Sequence, residues 1–157
     1  MTQHAICTAV KQNTPGVKSF FFKSNEKLLF SPGQFITLSL PTIKGCIQRS
    51  YTLSSSPENN NTFSITVRKV QDGKGSHWLH HNFQPGNQIE YSGPYGRFTP
   101  DRFEQKKLLF LAAGSGITPF LSTLRGWRDR DICVDAQLIF SVSNPEQIIE
   151  YEDLKSL

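Results

Sequence analysis

The 157-residue sequence lacks the features that define several functional classes. Its three cysteines, Cys7, Cys46 and Cys133, are far apart and outside any C-x-x-C spacing. That pattern suggests neither a disulfide framework nor an iron–sulfur or zinc ligand set. A reduced, cytoplasmic setting is expected. No apolar run approaches bilayer length; the longest is Leu108–Ala113, and Met1–Val10 carries no apolar stretch of signal-peptide size, so no membrane association is expected. There is no internal repeat, no low-complexity tract and no run of like charge. The seventeen Lys and Arg that give a formal charge of +4 are scattered, which speaks against a nucleic-acid-binding surface and fits a solvated basic exterior open to anionic ligands.

What is present is ordinary globular composition, 37% hydrophobic and 19% charged, with twelve Phe. The first hundred residues read as short β-branched and aromatic runs between turn residues: Ala5–Val10, Ser19–Lys23, Gln34–Leu40, Ile47–Leu53, Thr62–Val70 and Gln88–Ser92. Six antiparallel strands predict a small closed barrel whose edges pair. A helix over Gly75–Asn82 interrupts them, with Trp78 and Leu79 able to face inward. After Pro100–Lys107 the texture changes to an apolar strand, Leu108–Ala113, a glycine turn, a helical pattern to Arg128 and a second apolar strand, Ala136–Val142. This order is a βαβ unit, the building block of a parallel nucleotide-binding sheet. The expected organisation is a β-barrel domain over residues 1–103 and an incomplete parallel α/β half over 107–157, about half of what a free-standing doubly wound domain of roughly 100 residues needs.

Three motifs carry chemistry. In Arg49-Ser50-Tyr51-Thr52, strand alternation puts Arg49 and Tyr51 on one face and Ser50 and Thr52 on the other. A ring beside a guanidinium suits a ligand that is flat at one end and anionic at the other; the tetrapeptide equally fits an exposed strand end with a cross-strand pair. Gly73-Lys74-Gly75-Ser76 precedes the helix. Its glycines allow close approach of backbone N–H groups to a phosphate, the helix N-terminus and Lys74 add positive charge, and Ser76 can cap the helix or donate to the anion; a plain turn and N-cap is the alternative. Gly114-Ser115-Gly116-Ile117-Thr118-Pro119 departs from G-x-G-x-x-G because Pro119 stands at the third glycine, yet it keeps a tight turn, Thr118 as N-cap and Pro119 at the first helical position. Gly93-Pro94-Tyr95-Gly96 marks a corner after the last barrel strand. His77 and His81 share a helical face, but no nearby Cys or carboxylate completes a metal set.

These four glycine- and arginine-containing motifs, in this order, resemble the ferredoxin–NADP reductase family, and the match runs along nearly the whole chain. The Gly75-Ser76 to Leu79 segment and the surroundings of Pro119 are similar to reductases that serve hybrid-cluster protein or oxygenases. The resemblance implies a six-stranded barrel holding FAD and a C-terminal half admitting NAD(P)H, with hydride passing to the flavin and electrons onward to a redox partner protein. By motif position, Arg49 would bind the flavin pyrophosphate, Tyr51 would pack on the isoalloxazine, and Thr52 would hydrogen-bond near its reactive nitrogen. Ser50 and Val67 would line the same site, and Lys74, Gly75 and Ser76 would hold the pyrophosphate from the other side. Gly114, Gly116 and Thr118 would face the nicotinamide nucleotide. Two departures accompany the match: Ser143 stands where related chains often carry an Arg, and the later motifs that close the nicotinamide pocket do not follow. A non-catalytic flavin-binding subunit, or a fragment completed by a missing C-terminal domain or second subunit, is the alternative expectation.

Overall fold

The computed structural model describes residues 2–42, 45–59, 61–103 and 107–157. Strands β1 (Gln3–Thr14), β2 (Val17–Ser24), β3 (Phe35–Thr42), β4 (Gly45–Thr52), β5 (Thr62–Arg68) and β6 (Gln88–Tyr95) form one antiparallel sheet in the order β4-β3-β6-β1-β2-β5. Period-two alternation sets which residues enter the core. Phe20 and Phe22 of β2, Ile36, Leu38 and Leu40 of β3, and Phe63, Ile65 and Val67 of β5 all point inward and are buried. Phe22 stacks on Phe63 with centroids 5.0 Å apart. Helix α1 (Lys74–Asn82) plugs the interior with Leu79, fully buried, while Trp78 packs half-buried against Phe83.

The sheet curls like a barrel but does not close, contrary to the expectation of paired edges. Among the described residues edge strands β4 and β5 share no ladder; the segment just after β4 meets β5 through an isolated bridge, Leu53 with Ile65, a Ser54 N–H to Ser64 carbonyl bond of 2.8 Å and side-chain bonds of Ser54 and Ser55. Beyond that point they diverge, so the free edge of β4 at Arg49–Thr52 faces that of β5 at Thr66–Arg68 across an open seam. Strand count alone does not say whether the two edges come within ladder distance, and here β4 and β5 remain the two edges of the sheet.

The second sheet has two parallel strands, β7 (Leu108–Ala113) and β8 (Ala136–Ser141), joined by α2 (Thr118–Asp129), and the short α3 (Tyr151–Ser156) follows. A 3-10 turn over Gly114–Ile117 separates β7 from α2. Thr118 is therefore the first residue of the helix and not its N-cap, a correction that follows from the extra turn: Ile117 holds the cap position, and Thr118 Oγ1 donates to the Ser115 carbonyl at 3.1 Å. Phe110, Phe120 and Trp127 stack in a second apolar cluster.

A buried polar layer joins this part to the first sheet. Ser19, Thr66, Ser54 and Ser64 form a chain of hydroxyl contacts of 2.8 to 3.0 Å. Glu150, in the left-handed region at φ 55°, accepts from Ser19 at 3.1 Å and pairs with Lys11 of β1 and Arg125 of α2. Ser122 of α2 donates to the Ser55 carbonyl at 2.7 Å. No helix among the described residues is long and apolar enough to cross a membrane.

Candidate functional site

The open seam between β4 and β5 becomes a cleft of about 620 Å³ because α1 begins beneath it. It gathers Arg49, Ser50, Tyr51 and Thr52 from β4, Val67 from β5, Lys74, Gly75 and Ser76 from the start of α1, and Thr118 from α2. Residues separated by more than sixty positions in sequence thus share one concavity. Arg49 and Tyr51 stand opposite Leu38 and Ile36 of β3 and share their face, whereas Ser50 pairs with Thr37 on the other, its hydroxyl 3.0 Å from Thr37 Oγ1. The Arg49 guanidinium makes one intramolecular bond, to the Gln48 carbonyl at 2.7 Å, and among the described residues neither Arg49 nor Lys74 enters an ion pair.

Burial pushes the Tyr51 phenol up to about 12, with the nearby Arg49 charge pulling weakly the other way. Tyr51 is therefore a neutral hydrogen-bond donor throughout the physiological range. Gly75 lies against it: a Cβ there would come within 2.8 Å of Arg49 Cγ and 3.2 Å of the Tyr51 hydroxyl. Only glycine lets the helix start approach the strand this closely. The first N–H groups of α1 have no partner within the helix, the first intrahelical bond being His77 N–H to the Gly73 carbonyl at 2.9 Å. Those free donors and the helix dipole favour an anion at this end of the cleft.

Ser76 lines the cleft but is not the helix N-cap. Gly73 is the N-cap, and Ser76 Oγ accepts from the Val70 N–H and donates to the Gly73 carbonyl, both at 3.1 Å. Its hydroxyl holds the loop in shape, which leaves its backbone N–H as the group it can offer. The glycine turn after β7 is also divided. Thr118 lines the seam cleft, Gly114 lines a neighbouring cleft of about 560 Å³ at the carboxyl ends of β7 and β8, and Gly116 lines neither. The 3-10 turn begins at Gly114 and ends before Thr118. Gly114 needs its freedom, at φ 51°, and a Cβ on it would stand 3.1 Å from Arg68 Nη1.

Arg68 and Ser115 were not foreseen, and both line both clefts. A lone Arg ending a strand has no local pattern to mark it; its importance depends on the seam. His80, in contrast, faces inward, its Nε2 2.9 Å from the Val67 carbonyl, so that burial lowers its pKa and it supports the Val67 backbone from behind. Among the described residues no three His, Cys, Asp or Glu side chains cluster as metal ligands.

A flat dinucleotide with a pyrophosphate fits this arrangement. Unpaired cations, free N–H groups and a glycine cradle stand at one end, and a half-buried phenol ring stands on the strand. The family model of the oxidoreductase FAD-binding domain matches residues 7–99. The chain is 39% identical over 153 residues to the glycine betaine monooxygenase reductase subunit of Chromohalobacter salexigens, covering 96% of this chain and 42% of that relative. It is 31% identical over 140 residues to the NADH oxidoreductase HCR of Escherichia coli, covering 89% and 43%. A crystal structure of a ferredoxin NADP+ reductase from Neisseria gonorrhoeae with bound FAD and NADP matches with a TM-score of 0.86 and 34% identity, over 99% of this chain and 63% of that one. This chain spans less than half the length of the two curated relatives. The open six-stranded sheet, the cleft on its seam and these matches agree, and the chain belongs to the oxidoreductase FAD-binding domain family, with the architecture of the ferredoxin–NADP reductases.

Proposed function

We propose that this protein is the flavin-carrying part of an NAD(P)H-dependent electron-transfer reductase, with FAD in the seam cleft, hydride supplied from the neighbouring cleft, and electrons delivered to a redox partner protein. The carrying observation is the convergence of Arg49, Tyr51, Lys74 and Gly75 on one cleft that shares Arg68 and Ser115 with a second. In this reading Arg49 and Lys74 hold the FAD pyrophosphate together with the N–H groups of Gly75 and Ser76. Tyr51 packs its ring on the isoalloxazine, and its neutral hydroxyl donates a hydrogen bond. Thr52 donates near the reactive edge, with Ser50 and Val67 lining the site. Gly114 admits the nicotinamide nucleotide closely, while Thr118 and Gly116 shape the turn between the clefts. FAD, when bound, supplies the conversion of two-electron to one-electron transfer; the chain orients it and excludes water with the side chains around Tyr51.

The division into a flavin unit over residues 1–103 and a nucleotide unit over 107–157 is part of the same proposal, supported by the two separate sheets and apolar clusters. A cytoplasmic location agrees with three free cysteines, two of them exposed. The names of the relatives, an oxygenase reductase subunit among them, favour an oxygenase or another small redox protein as acceptor.

A second reading, a flavin-binding subunit that needs another polypeptide for turnover, is favoured by the open face of the β7/β8 sheet, where Leu109, Leu111 and Ile139 are exposed. Stopped-flow mixing of the FAD-loaded chain with NADH or NADPH separates them. Bleaching of flavin absorbance faster than that of free FAD supports the reductase; bleaching at the free-flavin rate supports the subunit.

A further inference from the structure

The cleft at the ends of β7 and β8 is unequal in charge from lip to lip. On one side Arg68 and Lys69 leave β5, and Arg68 Nη1 reaches the turn at Gly114. On the other, the chain leaving β8 contributes Ser141, Ser143, Asn144 and Glu146. That lip carries no Lys or Arg, and its one ionisable group is a carboxylate. Glu146 is exposed and among the described residues enters no ion pair, so its charge is available to whatever fills the cleft.

We propose that this lip selects a nicotinamide dinucleotide without a 2′-phosphate, NADH over NADPH, and that Glu146 is the residue that makes the selection. The inference rests on the preceding reading that a nicotinamide nucleotide is the hydride donor. Ligands of parallel α/β sheets lie across the carboxyl ends of the strands, with a pyrophosphate near the glycine turn and helix start and a ribose toward the next strand. Here the pyrophosphate falls between Arg68 and the Gly114–Ser115 backbone, and the adenosine ribose lies over the end of β8. A carboxylate at that point accepts a hydrogen bond from ribose hydroxyls. A 2′-phosphate in the same place brings a dianion to Glu146 with only neutral Ser and Asn side chains beside it, and like charges at short range disfavour the complex. The cations that could offset that repulsion stand on the opposite lip, where the pyrophosphate uses them.

The test is calorimetric titration of the FAD-loaded chain with NAD+ and, separately, NADP+ at low ionic strength. NAD+ is expected to bind more tightly by about tenfold, the scale of one charge-assisted hydrogen bond exchanged for a like-charge contact. Glu146→Gln should narrow the ratio by raising NADP+ affinity, and Glu146→Lys should reverse it, with FAD content serving as the control for folding. NADP+ binding as tightly as NAD+ in the parent chain, or an unchanged ratio in Glu146→Lys, overturns this assignment while leaving the reductase reading in place. Binding of neither nucleotide by a chain that holds FAD overturns the nucleotide reading and this inference with it.

Discussion

In the antiparallel sheet, inward side chains of β2, β3 and β5 are sealed: Phe20, Phe22, Ile36, Leu38, Leu40 and Ile65 all reach 0% exposure. In the β7/β8 sheet the same alternation gives the opposite result on one face. Phe110 and Ala112 pack against α2, while Leu109 and Leu111, alternating with them, are 56% and 64% exposed. Antiparallel sheets tolerate one face in water, whereas parallel sheets are almost always covered on both. The first region is thus a finished core that can carry a rigid site, and the second is a platform with one finished face. The two keep separate apolar clusters and are joined by hydroxyls, a buried carboxylate and a few apolar contacts, with Val17 of β2 in the second cluster and Phe98 against Phe120, so in the proposed reading cofactor binding rests mainly on the first region.

If that comparison holds, the largest loss of stability comes from the sealed core. Phe22→Ala, which removes a ring stacked on Phe63, should cost about 3–5 kcal/mol by urea denaturation. Arg49→Ala should leave the fold intact and weaken FAD binding by about 1.5–3 kcal/mol, the range of a hydrogen bond to a charged group, as read by flavin fluorescence titration; unchanged affinity would show that the seam cleft is not the pyrophosphate site. Glu150→Gln probes the junction. It keeps the side-chain shape but removes the charge facing Lys11 and Arg125, and with Lys11 half exposed the expected cost is about 1–2 kcal/mol. A cost near zero would mean that the polar layer does not hold the regions together.

A pH effect comes next. Burial keeps the His80 pKa below its ordinary 6.5, so protons bind the unfolded chain more readily. The stability that neutral His80 contributes is complete above that value and is lost as pH falls below it toward the folded-state pKa. Urea midpoints should therefore decline below about pH 6.5, and His80→Gln, which keeps a donor toward Val67, should flatten that decline. The smallest effect belongs to the open face: Leu111→Ser should change stability by no more than about 0.5 kcal/mol. A large loss there would show that the face is covered and that the two regions are equally complete.

Much of this arrangement was legible in the chain because its signals are local. Alternation gave the side of β4 on which Arg49 and Tyr51 stand, and Gly73-Lys74-Gly75-Ser76 before an amphipathic run announced the start of α1. What stayed hidden depends on distant register. That β4 and β5 are the two edges follows from the order of six strands, so neither the open seam nor the place of Arg68 between two clefts could be read from neighbours in sequence. Thr118 is not the N-cap of α2 because a 3-10 turn, indistinguishable in composition from a tight glycine turn, precedes the helix. Glu150 gave no sign of burial, since a carboxylate in a charged segment reads as surface until Lys11, Ser19 and Arg125 close around it.

The most direct test of the account is the absorbance spectrum of the purified chain before and after incubation with FAD. A yellow protein with a single saturable flavin site is the predicted result. A protein that remains colourless with added FAD would contradict the assignment of the seam cleft.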